Sequence, residues 1–260
     1  MSEIMTVHEL QQKQEEIKEI VRKRAIDNRL MTGQESDYVW PVYDGVADSE
    51  GYLASSPKVM FVLKEPYDDF KKNSQGITVP YGGGWDLPEL FTEYSAAKEW
   101  PRVLTWHRII YAMYGFQHDR HYNDMDYIRN APEMGDVLLR VCWVNLSKMP
   151  GFTTSTDGQW RNAFRENWAD IFDCQVQCYA PDVIVFGNTF SMVSDRLLEE
   201  GDNREPVYAP DGRLVINKYY KKDGRLLVDA YHPGARMKNE YWVDSLIDTL
   251  KEYQAKKNLK

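Results

Sequence analysis

Apolar residues fall into blocks along this chain, and the blocks differ in period. Val59-Met60-Phe61-Val62-Leu63 runs without a polar interruption and stops at Lys64-Glu65-Pro66-Tyr67. An unbroken apolar run predicts a strand buried on both faces, as in a parallel sheet, here over about residues 58–64. Proline cannot donate to a ladder and holds the residue before it extended, so the strand ends at Glu65. Three further blocks read the same way: Leu138–Leu146, Pro181–Gly187 and Arg225–Tyr231. Helical period lies between them. Residues 7–31 predict a polar outer helix with Leu10, Ile17, Val21, Ala25 and Leu30 on one face and Thr6 as its N-cap. Residues 87–114, 159–179, 189–199 and 237–256 are the other helical stretches. Residues 32–57 read as an acidic loop, 76–85 as a glycine-rich loop, and 117–136 as polar and irregular with a short helix. Turn signals at Pro210-Asp211-Gly212 and Lys222-Asp223-Gly224 frame a hairpin.

Strands alternating with helices predict a three-layer α/β/α sandwich around a four-stranded, mainly parallel sheet. Residues 1–56 form an N-terminal helical extension and loop in this reading, and residues 57–260 one α/β unit.

Composition narrows the classes. A chain of 260 residues with 43% hydrophobic and 28% charged content can bury a sizeable core. No apolar run approaches the roughly 18 residues of a membrane span, and the three cysteines, Cys142, Cys174 and Cys178, form no framework. The expectation is a cytoplasmic protein with reduced, mostly buried thiols and no membrane contact. The net charge of −8 argues against avid nucleic-acid binding. The charge is uneven, however: from Gly212 onward there are 11 Lys and Arg against 6 Asp and Glu. That segment is either a local basic face or a solvated helix face. Aromatics at 13%, including 8 Trp and 17 Tyr, fit a stacking pocket or a Trp-rich core.

Candidate chemistry sits where the strands stop. The first strand delivers Glu65 and Tyr67, the second Asn145 and Lys148, the third Gly187 and Asn188, the fourth His232. In a parallel sheet these groups converge on one edge, where open α/β sheets bind ligands. A carboxylate, a carboxamide and an imidazole suit a polar planar ligand, because a carboxamide reads a donor–acceptor edge and an imidazole stabilises developing negative charge. Each residue also has a plainer reading. Glu65 can be a surface carboxylate, Asn145 a turn cap, His232 a satisfied core histidine, and Tyr81 with Trp85 a packed loop.

These residues, in this order, resemble the uracil-DNA glycosylase superfamily over about residues 57–242. Lys64-Glu65-Pro66-Tyr67 is similar to that family's first turn, with Glu65 at its water-activating Asp or Asn position. Val79-Pro80-Tyr81-Gly82 is similar to the Val-Pro-Phe-Gly of the single-strand-selective branch. Asn145-Leu146-Ser147-Lys148 falls where the family reads its pyrimidine, and Pro181–Gly187 matches its third strand. His232-Pro233-Gly234-Ala235-Arg236 is similar to the branch's His-Pro-Ser-Pro-Arg, whose following loop wedges into DNA. Departures are Glu for Asp or Asn, Tyr for the stacking Phe, and Gly-Ala for Ser-Pro. The four-Cys cluster of the iron–sulfur branches is missing, with Met149 where one ligand would fall.

The resemblance implies excision of uracil or a related base by water attack on the N-glycosidic bond, with no metal or cofactor. Tyr81 would stack on the base, Tyr67 crowd its edge, Asn145 read it, His232 take up charge on its oxygen, and Glu65 position the water. Lys148, Arg236 and Lys238 would hold DNA phosphates; as residues alone they read equally as surface charges. DNA, single- or double-stranded, is the implied partner. The alternatives are a non-catalytic nucleobase- or nucleotide-binding protein on the same fold, and an interaction protein using the N-terminal helix and Trp-rich loops.

Overall fold

The computed structural model describes residues 5–31, 39–66, 70–72, 75–80, 82–151, 157–200 and 202–259. In chain order the elements are α1 (Val7–Asp27), α2 (Ser49–Ala54), β1 (Val59–Leu63), β2 (Phe70–Lys72), β3 (Thr78–Pro80), α3 (Leu87–Ala97) and α4 (Leu104–His118). They continue with β4 (Cys142–Asn145), α5 (Asp157–Asn167), α6 (Ala169–Tyr179), β5 (Val183–Gly187), α7 (Phe190–Leu197), β6 (Asn203–Tyr208), β7 (Leu214–Tyr220), β8 (Leu226–Ala230) and α8 (Asn239–Asn258). The main sheet runs β4-β1-β5-β8-β7-β6. Its first four strands are mutually parallel, and the β6–β7 hairpin is antiparallel. The sheet therefore has six strands rather than four. The hairpin expected from its turns does not stand apart but extends the sheet from β8, through pairs such as Lys218 with Val228.

Side-chain alternation explains why the parallel strands are apolar throughout. Val59, Phe61 and Leu63 point into a core shared with α3, α4 and α8. Met60 and Val62 point into a second core with α1, α5, α6 and α7. Both faces are covered, so no position on β1 tolerates a polar residue. Helix α1 belongs to this second layer: Leu10, Ile17, Val21 and Ala25 are buried in it. Its start is held by the expected capping box, in which Thr6 accepts from Glu9 N and Glu9 reaches back to Thr6 N. In mid-helix the buried Gln14 carboxamide pairs with both backbone groups of Val46, accepting from its N–H at 2.9 Å and donating to its carbonyl at 3.1 Å.

Some boundaries differ from the pattern reading. The second strand starts at Cys142, not Leu138, because Pro132–Arg140 forms a 3-10 helix that buries Met134, Val137 and Leu138. A short apolar run does not reveal which period it follows. The stretch 87–114 is two helices, divided at Lys98, which takes a left-handed C-cap, and at Pro101. Residues 159–179 likewise split at Trp168. Helix α2, capped by Asp48, lies within the stretch 32–57 expected as an acidic loop, and β3 lies within the glycine-rich stretch, where it pairs with β2. Cys174 is exposed, unlike Cys142 and Cys178.

Candidate functional site

The C-terminal ends of β1, β4 and β8 open onto a cavity of about 220 Å³. Glu65, Asn145 and His232 all line it, and Trp85, Trp106 and Trp143 supply much of its apolar wall. A larger groove of about 530 Å³ lies between α1 and α3, but it carries Glu15, Lys18, Glu89 and Glu93 and no strand-end residue. Chemical variety favours the smaller cavity, which combines three kinds of polar group with aromatic faces.

Glu65 lies two residues beyond the end of β1. The chain after β4 continues alongside it, with Leu146, Ser147 and Gly151 donating to the carbonyls of Leu63, Lys64 and Pro66 at 2.8, 2.8 and 3.0 Å. Gly151 leaves room for the Glu65 side chain: a Cβ there would lie 2.6 Å from the Glu65 carboxyl carbon and displace it. On the next strand Gly187 plays a similar part, since a Cβ would lie 2.5 Å from Leu63 Cδ2 and 3.0 Å from Pro233 Cδ. Asn188 beyond it is exposed with φ 61° and does not line the cavity.

His232 is half-buried. The Gly234 N–H donates to its Nδ1 at 3.0 Å, so the neutral ring carries its proton on Nε2. Burial pushes the His232 pKa below the usual imidazole range, and the Arg108 guanidinium pushes it the same way. A neutral imidazole with a fixed tautomer is thus the favoured form at pH 7.

Arg108 is a residue that the pattern of the chain did not single out. It lies in the apolar helix α4, only 2% exposed. Its guanidinium donates to the carbonyls of Pro233 (2.7 Å), Ala235 (2.8 Å) and Met237 (2.5 Å), and to Asn239 Oδ1 at 2.8 Å. The planar fork fixes the whole turn after His232. Trp106 and Trp143 were equally unmarked in the sequence. They pack edge-on at 6.4 Å and share Phe91, whose ring centroid lies 5.3 and 5.6 Å from theirs. The aromatic richness therefore serves both readings at once, core on one side and cavity wall on the other.

Lys148 corrects the sequence reading. Expected at a phosphate, it is 1% exposed, and its ammonium donates to both Asp44 oxygens at 2.9 and 2.8 Å, to the Asn145 carbonyl at 2.7 Å and to Gln175 Oε1 at 2.9 Å. Asp44 also accepts from Gln175 Nε2 at 2.7 Å and from the Asn145 N–H at 2.6 Å. Burial pushes the Lys148 pKa down, and Asp44 opposes that shift. The ammonium is saturated and sealed from solvent, so it cannot reach DNA. Its role is to neutralise Asp44, which fixes the main chain of Asn145.

Arg236 and Lys238 are exposed just beyond His232. Lys238 stands 5.0 Å over the Tyr241 ring and 3.7 Å from Glu240. Among the described residues, five lysines of the basic C-terminal segment have acidic partners. Lys218 pairs with Glu252, Lys221 with Asp202, Lys251 with Asp119, Lys256 with Glu252 and Lys257 with Asp182. Tyr67 and Tyr81 lie outside the described residues. No helix among the described residues is long and apolar enough to cross a membrane. The sequence matches no protein-family model and no curated protein.

Proposed function

We propose that this protein is a DNA glycosylase that hydrolyses the N-glycosidic bond of uracil or a related damaged base. The observation that carries this reading is the meeting of Glu65, Asn145 and His232 in one tryptophan-lined cavity at the ends of parallel strands. At about 220 Å³ the cavity is smaller than the roughly 300–1,000 Å³ of drug-sized pockets. That size suits a single planar ring rather than a whole nucleotide.

A base buried in a duplex must leave the stack before it can enter such a cavity. The tryptophan faces then receive its apolar surface, and Asn145 offers a donor and an acceptor to its edge. As the glycosidic bond lengthens, negative charge gathers on the base. The Nε2–H of a neutral His232 is a donor suited to that charge, and needs no proton transfer to act. Glu65 supplies the carboxylate that orients or deprotonates water for attack at the sugar carbon. Arg236 and Lys238 remain as phosphate contacts, and Lys148 drops out of that role.

The withdrawal of Lys148 from the surface favours one rival, a protein that binds a free nucleobase without cleaving DNA. Incubation with single- and double-stranded uracil-containing oligonucleotides, followed by alkali, separates the two. Strand breaks that fall sharply in Glu65→Gln are expected. No breaks at high enzyme excess, together with calorimetric binding of free uracil, would establish the rival instead.

A further inference from the structure

We propose that the turn closing α3 forms a second binding site, a pocket for an organic ammonium group, quaternary in preference to primary. It shares no lining residue with the strand-end cavity and is independent of base excision.

The local sequence builds the pocket. Helix α3 stops at Lys98, which takes φ 55°. The Lys98 N–H donates to the Ser95 carbonyl at 3.2 Å, and the Glu99 N–H donates to that of Tyr94 at 3.1 Å. This paired closure folds the chain back on the helix. Asp136 fastens it, accepting from Ser95 Oγ and from Lys98 Nζ, both at 2.6 Å. Trp100 then lies beside Tyr94, with ring centroids 6.1 Å apart and planes at 59°. Glu93, Tyr94, Ala97, Glu99, Trp100 and Pro101 line an open pocket of about 480 Å³.

The chemistry of these walls selects the ligand. The Trp100 Nε1–H is buried and has no hydrogen-bond partner among the described residues. It lies against Gly135, where any side chain would strike the indole. The indole therefore gives the pocket π density and no donor. Trp and Tyr rings attract a cation within about 6 Å of their centroids, and a group held between these two rings reaches both. Glu93 and Glu99 are exposed beside them, and neither has a basic partner among the described residues. Lys98, next to Glu99, is committed to Asp136, and no Lys, Arg or His lines the pocket. Two unneutralised carboxylates repel an anion and attract a cation. A primary ammonium is compact and strongly hydrated. A quaternary one carries its charge on methyl groups that shed water readily and seat on ring faces.

The test is calorimetric titration of the full chain with choline, with its uncharged isostere in which carbon replaces the nitrogen, and with a short peptide carrying trimethyl-lysine. Choline should bind at least about tenfold more tightly than the isostere, because the two differ in charge and not in shape. Glu93→Gln combined with Glu99→Gln should weaken choline binding about fivefold and remove most of its salt dependence. Both residues are exposed, so this variant should fold as the parent does. Tyr94→Leu should weaken binding about tenfold, with the melting temperature as the check on folding. Equal binding of choline and its isostere, no binding of choline or the peptide, or binding unchanged by these substitutions would overturn the proposal. So would a loss that follows Glu65→Gln instead, which would put the ammonium in the strand-end cavity. Tighter binding of the peptide than of choline supports the pocket as a reader of an ammonium carried on a protein. Choline equal or tighter supports it as a site for a small free one. Excision of uracil is read separately on oligonucleotides, so either reading can fail without the other.

Discussion

Two polar clusters meet at Asn145, and they are built on opposite rules. Below it, Asp44, Lys148 and Gln175 satisfy one another: the three N–H groups of the ammonium face four acceptor atoms, and Asp44 accepts from three residues. Beside it, Glu65, His232 and the Asn145 side chain line a cavity with aromatic walls. The first cluster holds the main chain of Asn145, and the second places the residue in the lining of the cavity. One residue can thus be fixed by buried charge at its backbone and face open space with its carboxamide. What separates the two is whether space for a ligand remains, not the residue types involved.

Breaking the sealed cluster should have the largest effect. Lys148→Met leaves the Asp44 carboxylate buried without its cation, at a cost of about 3–5 kcal/mol. Urea unfolding should show the loss, and any activity should disappear only as far as the protein unfolds. Adding Asp44→Asn should recover part of that stability. Within the cavity the pattern should invert: Glu65→Gln and His232→Ala should each slow excision by about 100-fold or more, with little change in the urea midpoint.

Arg108 joins the two kinds of behaviour. Arg108→Met should destabilise the fold by about 2–3 kcal/mol, since buried carbonyls lose a charged donor. It should also move the acid limb of the pH–rate profile upward, because one of the influences lowering the His232 pKa is gone. In the parent, activity should hold above about pH 6.5 and decline on the acid side as His232 protonates. Stability follows the same sign. The folded state keeps His232 below its ordinary 6.5, so the ring contributes stability above that value and gives it up as pH falls through the folded pKa. The smallest expected change is in Arg236→Ala. It should weaken DNA binding about equally across sequences and reduce the salt slope by about one, measured by fluorescence anisotropy at several salt concentrations.

The convergence of Glu65, Asn145 and His232 was legible in the sequence because it depends on local signals. Each ends or closely follows a buried strand, Glu65 and His232 each stand directly before a proline, and parallel strands must end on the same edge. The alternation of strand and helix gave the layer order in the same way. What was not legible depends on pairs far apart in the chain. Lys148 and Asp44 are separated by 104 residues, and nothing near either residue marks it as buried. Arg108 clamps a turn more than a hundred residues away, from within a helix whose neighbours are apolar. The run from Leu138 misled for a local reason, since a 3-10 turn and a strand are equally apolar when both are buried. The expectation of four strands rather than six comes from counting the hairpin apart from the sheet it extends.

Gln14 gives α1 a further significance. By meeting both the donor and the acceptor of Val46, its carboxamide stands in for one rung of a neighbouring strand. A chain shortened to begin at Asn28 would bare the greasy flank of α6 and remove the side chain that meets the Val46 N–H and carbonyl. An oily surface with an open hydrogen-bonding group is what invites a second chain to add itself. Trimming the first helix is therefore expected to promote self-association.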